Sequence, residues 1–237
     1  MDNTGYTTLT RQTGLMREMR VVANNIANMA TTGFRQEGLI FAEHVKRVTD
    51  GPSLSMATAN VRNTSLMQGA LTQTNGRFDL AIEGEGFFLI ETPRGERLTR
   101  AGSFTPNAEG DLVTPDGFRV LDAGGAPIFV PPDAGALGIS ADGTISSDGQ
   151  PLGQIGLFRP ADPNSLIRED GVMFRSEDGI EPVEEARILQ GFLEGSNVDP
   201  LGQIARMIEV QRAYELGQKF LETEDERIRS AVKTFIR

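Results

Sequence analysis

The chain has 237 residues, enough for one large domain or two modest ones with a real core. Its net charge of −10 and its 6% aromatic content, with no Trp, exclude broad nucleic-acid affinity and disfavour an anionic membrane surface, since phosphate recognition needs clustered Lys and Arg. With no Cys there is no disulfide or thiolate metal site, and no stretch reaches the ~18 apolar residues of a membrane span.

Charge and turn residues divide the chain. Residues 31–199 hold 13 basic and 25 acidic groups, so the acidity sits in the middle and the ends are near neutral. Of 27 Gly, 19 lie in 75–195, and ten of the 12 Pro lie between Pro93 and Pro182. Helices therefore suit the ends and turns the middle. The implied organisation is an N-terminal helix in 1–30, an extended connector in 31–75, a β-rich region in 76–195 and a C-terminal helix in 196–237. The fold class is α+β, mainly β: a Gly/Pro-rich all-β centre between long terminal helices that form a pair. The first 30 residues lack the continuous apolar run and small-residue cleavage site of a secretory leader.

The first helix is expected over about Thr4–Met29. Leu9, Met16, Met19, Ala23, Ile26 and Ala30 recur at helical spacing, with Gln12 as a polar interruption. This stripe has the width of a helix–helix seam. Gly33 suits a left-handed cap at the helix end. Asn24, Asn25 and Asn28 are mediocre helix formers within five residues. Their amides are expected to bond neighbouring backbone or to fix register across a helical interface. Phe34 and Phe41 are expected to be buried, Asp50–Ser53 to be a loop, and Thr64–Thr74 to be extended.

The centre alternates short apolar runs with turns. Phe87-Phe88-Leu89-Ile90 reads as a buried strand and Arg97-Leu98-Thr99-Arg100 as an exposed one. Further strands are expected around Phe78–Ile82, Leu112-Val113, Phe118–Leu121, Ile128–Val130, Leu137–Ile139, Thr144-Ile145, Ile155–Phe158 and Val172–Phe174. Five Asp-Gly pairs, starting at Asp116, Asp142, Asp148, Asp170 and Asp178, mark tight turns, because Gly accepts positive φ. Regular short strands with such punctuation argue a sandwich or barrel.

The last helix is sharply signalled. Asp199 is an N-cap and Pro200 stands at the first helical position. Met207, Val210, Tyr214, Gly217, Leu221, Glu224, Ile228, Ala231 and Phe235 follow at 3,4 spacing, with Gly217 and Glu224 as weak positions. A helix of ~35 residues spans about 50 Å and needs a partner helix to bury that seam.

No catalytic, cofactor or metal constellation stands out. Gly84-Glu85-Gly86 lacks the third glycine of a dinucleotide fingerprint and reads as a turn into a strand. His44 is the only His, which leaves a Ser–His–Asp triad or a His-based metal site with little to draw on. Glu222, Glu224, Asp225 and Glu226 lie beside Arg227 and Arg229 and read as a solvated, ion-paired face. Asp142 and Asp148 are too irregularly placed for a calcium loop and fit two hairpin turns.

Val22–Asn28 followed by Thr31–Arg35 closely resembles the N-terminal signature of flagellar rod and hook proteins. Gly195–Asp199 and Met207–Glu215 resemble that family's C-terminal signature. Leu80–Phe88, Leu98–Phe104 and Asp111–Gly117 resemble the start of its β domain. The opening residues, the length and the lack of a large insertion are most like its proximal-rod members, with distal-rod members as the alternative. The Asp199–Gln203 start of the last helix departs from the family's more usual acidic, apolar one.

The resemblance implies a non-enzymatic building block of the basal-body rod in the periplasm, exported by the flagellar type III apparatus without cleavage. It implies assembly with copies of itself and other rod proteins into a hollow helical tube that transmits torque, without cofactor, nucleic acid or membrane insertion. The residues expected at the assembly interface are Leu9, Met16, Met19, Asn24, Asn25, Ile26, Asn28, Met207, Val210, Gln211, Tyr214, Leu221, Ile228 and Phe235. The ends are then expected to order only when partner copies are present. Two other classes compete: a peptidoglycan hydrolase using two carboxylates of the β region, and a β-rich carbohydrate-binding module, which leaves the C-terminal stripe unexplained.

Overall fold

A computed structural model of the chain describes residues 2–46, 54–183 and 185–235, with side chains described for residues 5, 7–40, 63–183 and 185–234. The chain divides into two compact units. Unit 1 comprises 1–27, 37–63 and 199–237; unit 2 comprises 28–36 and 64–198. The segment expected as a connector, 31–75, is thus shared between both units.

Unit 1 contains helices α1 (Asp2–Ala27) and α2 (Pro200–Phe235) and the paired strands β1 (Glu37–Lys46) and β2 (Leu54–Thr64). α2 starts where the sequence places it. Asp199 Oδ1 accepts from Leu201 N at 3.2 Å, and Pro200 spends no N–H in the first turn. The acidic run on α2 is ion-paired along its own face, Arg227 to Glu224 at 2.6 Å and Arg229 to Asp225 at 2.8 Å. Phe41 and His44 stand on β1, but their side chains, the Asp50–Ser53 loop and the Phe235 ring lie outside the described residues.

Unit 2 is built from short strands. The first seven are β3 (Leu71–Gln73), β4 (Leu80–Glu83), β5 (Phe87–Thr92), β6 (Gly95–Thr99), β7 (Thr105–Pro106), β8 (Leu112–Val113) and β9 (Arg119–Val120). Then come β10 (Leu137–Ile139), β11 (Thr144–Ser147), β12 (Gln150–Gln154) and β13 (Leu157–Pro160). The last five are β14 (Leu166–Asp170), β15 (Met173–Ser176), β16 (Ile180–Pro182), β17 (Arg187–Gln190) and β18 (Phe192–Glu194). The main sheet runs β14-β15-β6-β5-β9-β8-β7, with β13 joining β5 and β16 joining β13. Separate ladders form from β10-β11-β12, β17-β4 and β18-β3.

β5 explains the unbroken apolar run. Phe88 and Ile90 enter one core cluster with Leu80, Leu112, Ile145 and Ile188. Phe87 and Leu89 enter a second with Leu98, Leu121 and Phe174. A strand buried on both faces has no reason to alternate. Edge-on ring pairs anchor both clusters, Phe88 to Phe104 at 5.2 Å and Phe87 to Phe174 at 5.8 Å. Gly in all five Asp-Gly pairs has positive φ, and Gly84 and Gly86 make the turn between β4 and β5.

Three expectations are corrected. Arg97–Arg100 is buried, because β6 lies inside the sheet between β5 and β15. Arg97 is tolerated there through Glu169, at 2.8 Å, a partner 72 residues away. Ile128–Val130 makes a single isolated bridge, Phe129 to Asp111, instead of a strand, with Ile128 and Val130 buried and Phe129 outward. Gly33 does not cap α1, which ends at Ala27; its φ of 69° serves a later turn, where an added Cβ would overlap the backbone of Arg100 and Ala101.

Phe174→Ala should lower stability by about 3–5 kcal/mol by opening a cavity beside Phe87, read as a drop in the urea midpoint. Glu169 generates a pH prediction. Hydrogen bonds from Arg97, and then from Arg175, hold its carboxyl below the ordinary 4.5. A carboxylate depressed in this way stabilises the fold fully above its unfolded value and stops doing so as pH falls through its folded value. The melting temperature should therefore fall more steeply between pH 7 and pH 3 in the wild type than in Glu169→Gln. Parallel curves would show that the arginines draw nothing from this group.

Candidate functional site: paired helices and a buried charge cluster

Within unit 1, α1 and α2 run antiparallel. Gln12 reaches Tyr214, Glu18 reaches Arg206 and Asn25 reaches Gln203, so one numbering rises as the other falls. The contact face of α1 is not the apolar stripe expected from the sequence. Gln12, Glu18, Val22 and Asn25 are buried on it, with Leu15 half-buried, whereas Leu9, Met16 and Ala23 are exposed. Polar residues carry this face because each has a directional partner on the other helix or on β1.

Gln12 and Gly217, read from sequence as an interruption and a weak position, fit each other. Gln12 Nε2 donates to the Tyr214 carbonyl at 2.9 Å. A Cβ at Gly217 would overlap that amide. Two turns along, Glu18 accepts from Arg206 Nε at 2.6 Å, and this bond, more than the one from Glu209, raises the Arg206 pKa. Asn25 Nδ2 donates to the Glu37 carbonyl at 2.8 Å and to Gln203 Oε1 at 3.1 Å, while its Oδ1 accepts from Glu37 N at 3.0 Å. One amide thus satisfies both backbone groups of the first β1 residue and marks register against α2.

The other expected interface residues are dispersed. Val210 is buried; Met19, Ile26, Asn28, Met207, Tyr214 and Leu221 are half-buried; Asn24, Gln211 and Ile228 are exposed. Asn28 closes a local turn, accepting from Thr31 N and Thr31 Oγ1 at 3.1 Å each.

Unit 2 holds a cluster that the sequence does not announce. Glu194, Arg35 and Arg100 have side chains 1%, 1% and 3% exposed. Arg100 Nη1 donates to Glu194 Oε2 at 3.0 Å and Nη2 to the Gly84 carbonyl at 2.7 Å. Arg35 Nη2 lies 3.0 Å from Glu194 Oε1 without a hydrogen-bond alignment, and its Nη1 donates to the Met67 carbonyl. Gly69 N donates to Glu194 Oε1 at 2.8 Å, and Gly33 N to the Glu194 carbonyl at 2.7 Å. Burial pushes the Arg100 guanidinium down to about 10, with Glu194 opposing, so it stays charged at pH 7. Burial lowers Arg35 as well, again against Glu194.

Asn197 completes the cluster. Its Oδ1 accepts from Gln36 N at 2.6 Å and its Nδ2 donates to the Met67 carbonyl at 2.7 Å. The Arg168 guanidinium lies over Phe34 at 4.3 Å and Phe174 at 4.6 Å. The available sequence signal was the position of Phe34, Arg35, Arg100 and Asn197 in the resembling motifs; Glu194 stands just before one of them. Their mutual distances are invisible along the chain.

Two substitutions probe these sites. Glu194→Gln leaves two buried guanidiniums without a counter-charge and should cost about 3–5 kcal/mol in chemical unfolding. Gly217→Val drives the Gln12 amide out of its seat and should cost about 1–3 kcal/mol, with loss of helical circular dichroism at a lower temperature. Retention of the wild-type melting profile by Gly217→Val would show that Gln12 is not wedged against that position.

The same three segments match family models. Residues 4–35 match the model described as flagella basal body rod protein, 81–147 the flagellar hook protein FlgE/F/G D1 domain, and 189–234 the flagellar basal body rod FlgEFG protein C-terminal region. The chain is 44% identical to flagellar basal-body rod protein FlgF of Caulobacter vibrioides, covering 98% of each chain. It is 37% identical to FlgF of Mesorhizobium japonicum over 91% of this chain and 90% of that one. With FlgG of Bacillus subtilis it shares 31% over 96% and 97%. Arg35, Arg100 and Glu194, and the helix residues that pair α1 with α2, lie in these matched regions, and by these matches and the identity to its relatives the chain belongs to the flagellar basal-body rod protein family.

Proposed function

We propose that this chain is a structural subunit of the proximal rod, of the FlgF type, and that copies assemble through the apolar surface its helix pair leaves uncovered. The observation that carries this reading is the unequal length of the helices. α1 has 26 residues and α2 has 36, about 39 Å against 54 Å. Continuing the register of the Gln12–Tyr214 bond brings the start of α1 level with about residue 224 of α2. The seam beyond that point has no α1 residues opposite it. Ile228 is 51% exposed there and Val232 49%.

Further apolar groups face outward along the pair, among them Leu9, Met16, Leu201, Leu216 and Phe220. A groove of about 390 Å³ opens between Leu15, Leu216 and Phe220, beside Gln12 and Gly217. Contiguous exposed apolar surface marks association sites. Burying each such side chain contributes roughly 1.5–3 kcal/mol, so a few per contact suffice to hold a polymer. Contacts between different patches of successive copies extend into an open helical filament. In this reading the helices line the inner wall of a hollow tube. Such a subunit builds and transmits torque; it catalyses nothing. It leaves the cell through the flagellar export apparatus.

Ile228→Glu combined with Val232→Glu should leave unfolding of the isolated chain within about 0.5 kcal/mol, since both positions are exposed. The same variant should fail to sediment as polymer and fail to restore swimming. Normal assembly by this variant would remove the overhang as the assembly surface. The similarity to FlgG proteins supports a distal-rod reading as the second choice. Electron microscopy of basal bodies lacking the protein separates the two, because a rod stopped near its base indicates the proximal subunit and a shortened distal rod the other.

A further inference from the structure

Two guanidiniums share one carboxylate inside unit 2. Arg35, Arg100 and Glu194 are each at least 97% removed from solvent, so this buried trio carries one more positive charge than negative. Among the described residues Arg35 Nε and Arg100 Nε have no acceptor, and Arg35 Nη2 meets Glu194 Oε1 at 3.0 Å without hydrogen-bond alignment. Buried N–H groups are seldom left open, and a buried charge without a counter-charge is costly.

The same two arginines line a cavity of about 70 Å³, together with Glu85, Gly86 and Arg159. That is room for about two waters or one small oxyanion. Water would satisfy the N–H groups but would not pair with the trio's extra positive charge, which Glu85 offsets only at longer range. Glu85 is near enough to strengthen the hold of Arg100 on its proton, yet forms no ion pair with Arg35 or Arg100 among the described residues. Arg159 is half-exposed and adds a third positive charge beside the cavity, partly engaged by Glu181 at 3.1 Å.

We propose that this cavity is an anion site that takes a small oxyanion, a carboxylate group by preference, on the open N–H groups of Arg35 and Arg100. The carboxylate comes either from solution or from an acidic side chain of another copy; the chain has 33 Asp and Glu. A planar carboxylate matches the guanidinium fork in shape as well as charge.

Acetate is the probe, titrated into the full-length chain at pH 7 with ionic strength held constant by a bulky sulfonate. The melting temperature should rise saturably, as it does when a ligand binds only the folded state. Arg159→Gln, a substitution at an exposed position, should raise the half-saturating acetate concentration by on the order of tenfold. Saturation-transfer NMR on the folded protein should show acetate in contact with it, and Leu66→Trp, which fills the mouth of the cavity, should abolish the signal. Saturation in a dilute monomeric sample identifies a solution anion. Acetate that disperses self-associated copies in sedimentation identifies a carboxylate from a neighbour. A melting temperature that follows ionic strength alone, equally in wild type and Arg159→Gln and with no saturation transfer, would overturn the site and leave the cavity to water.

Discussion

Glu194 sits almost wholly out of water with a guanidinium on each side of its carboxylate. The remainder of unit 2 is arranged to make that tolerable. Its carbonyl is taken by Gly33 N, one carboxylate oxygen by Gly69 N and the other by Arg100. Segments near residues 33, 69, 100 and 194 therefore converge on one residue. Removing any of them exposes or orphans a buried charge, and at several kcal/mol each such losses compare with the whole stability of a domain. This gives a physical reason for the Thr-Gly-Phe-Arg and Gly-Ser-Asn-Val motifs. Read along the sequence they flank the two helices and suggest polymerisation. In the fold, Gly33, Phe34, Arg35 and Asn197 act within one subunit.

The helix pair divides its labour differently. Directional polar bonds from Gln12, Glu18 and Asn25 set which residue faces which, and they occupy the face of α1 that meets α2. Hydrogen bonds specify register better than apolar contact, because a slip of one turn breaks each of them. The apolar side chains left over, such as Leu9, Met16 and Ile228, stay outside, where a further copy can cover them. A subunit built this way holds its own helices in register and, in the proposed reading, keeps surface for assembly.

Much of the local structure was legible. Asp199-Pro200 marked the start of α2 to the residue, because capping chemistry and the fixed φ of proline act within one turn. Asp-Gly pairs marked turns for the same local reason, and the Phe87–Ile90 run marked a strand buried on both faces. The work expected of the Asn amides was found in Asn25. What misled was polarity. Arg97 and Arg100 looked like an exposed strand, and Gln12 like a flaw in a seam, because a charged or amide side chain is normally solvated unless something distant satisfies it.

The sequence alone thus determined the helical ends, the turn-rich β middle, and, through motifs spread in order from Val22 to Glu215, the family. Each rests on local propensity or on residues read in order. Only the tertiary structure decided which face of α1 meets α2, why Gly33 must be glycine, how Gly217 seats Gln12, and that three motifs close on Glu194. Those outcomes depend on pairs such as Gln12 with Gly217 and Arg35 with Glu194, well over a hundred residues apart. Burial and charge pairing are properties of distance in space, and chain spacing does not encode that distance until the fold brings the partners together.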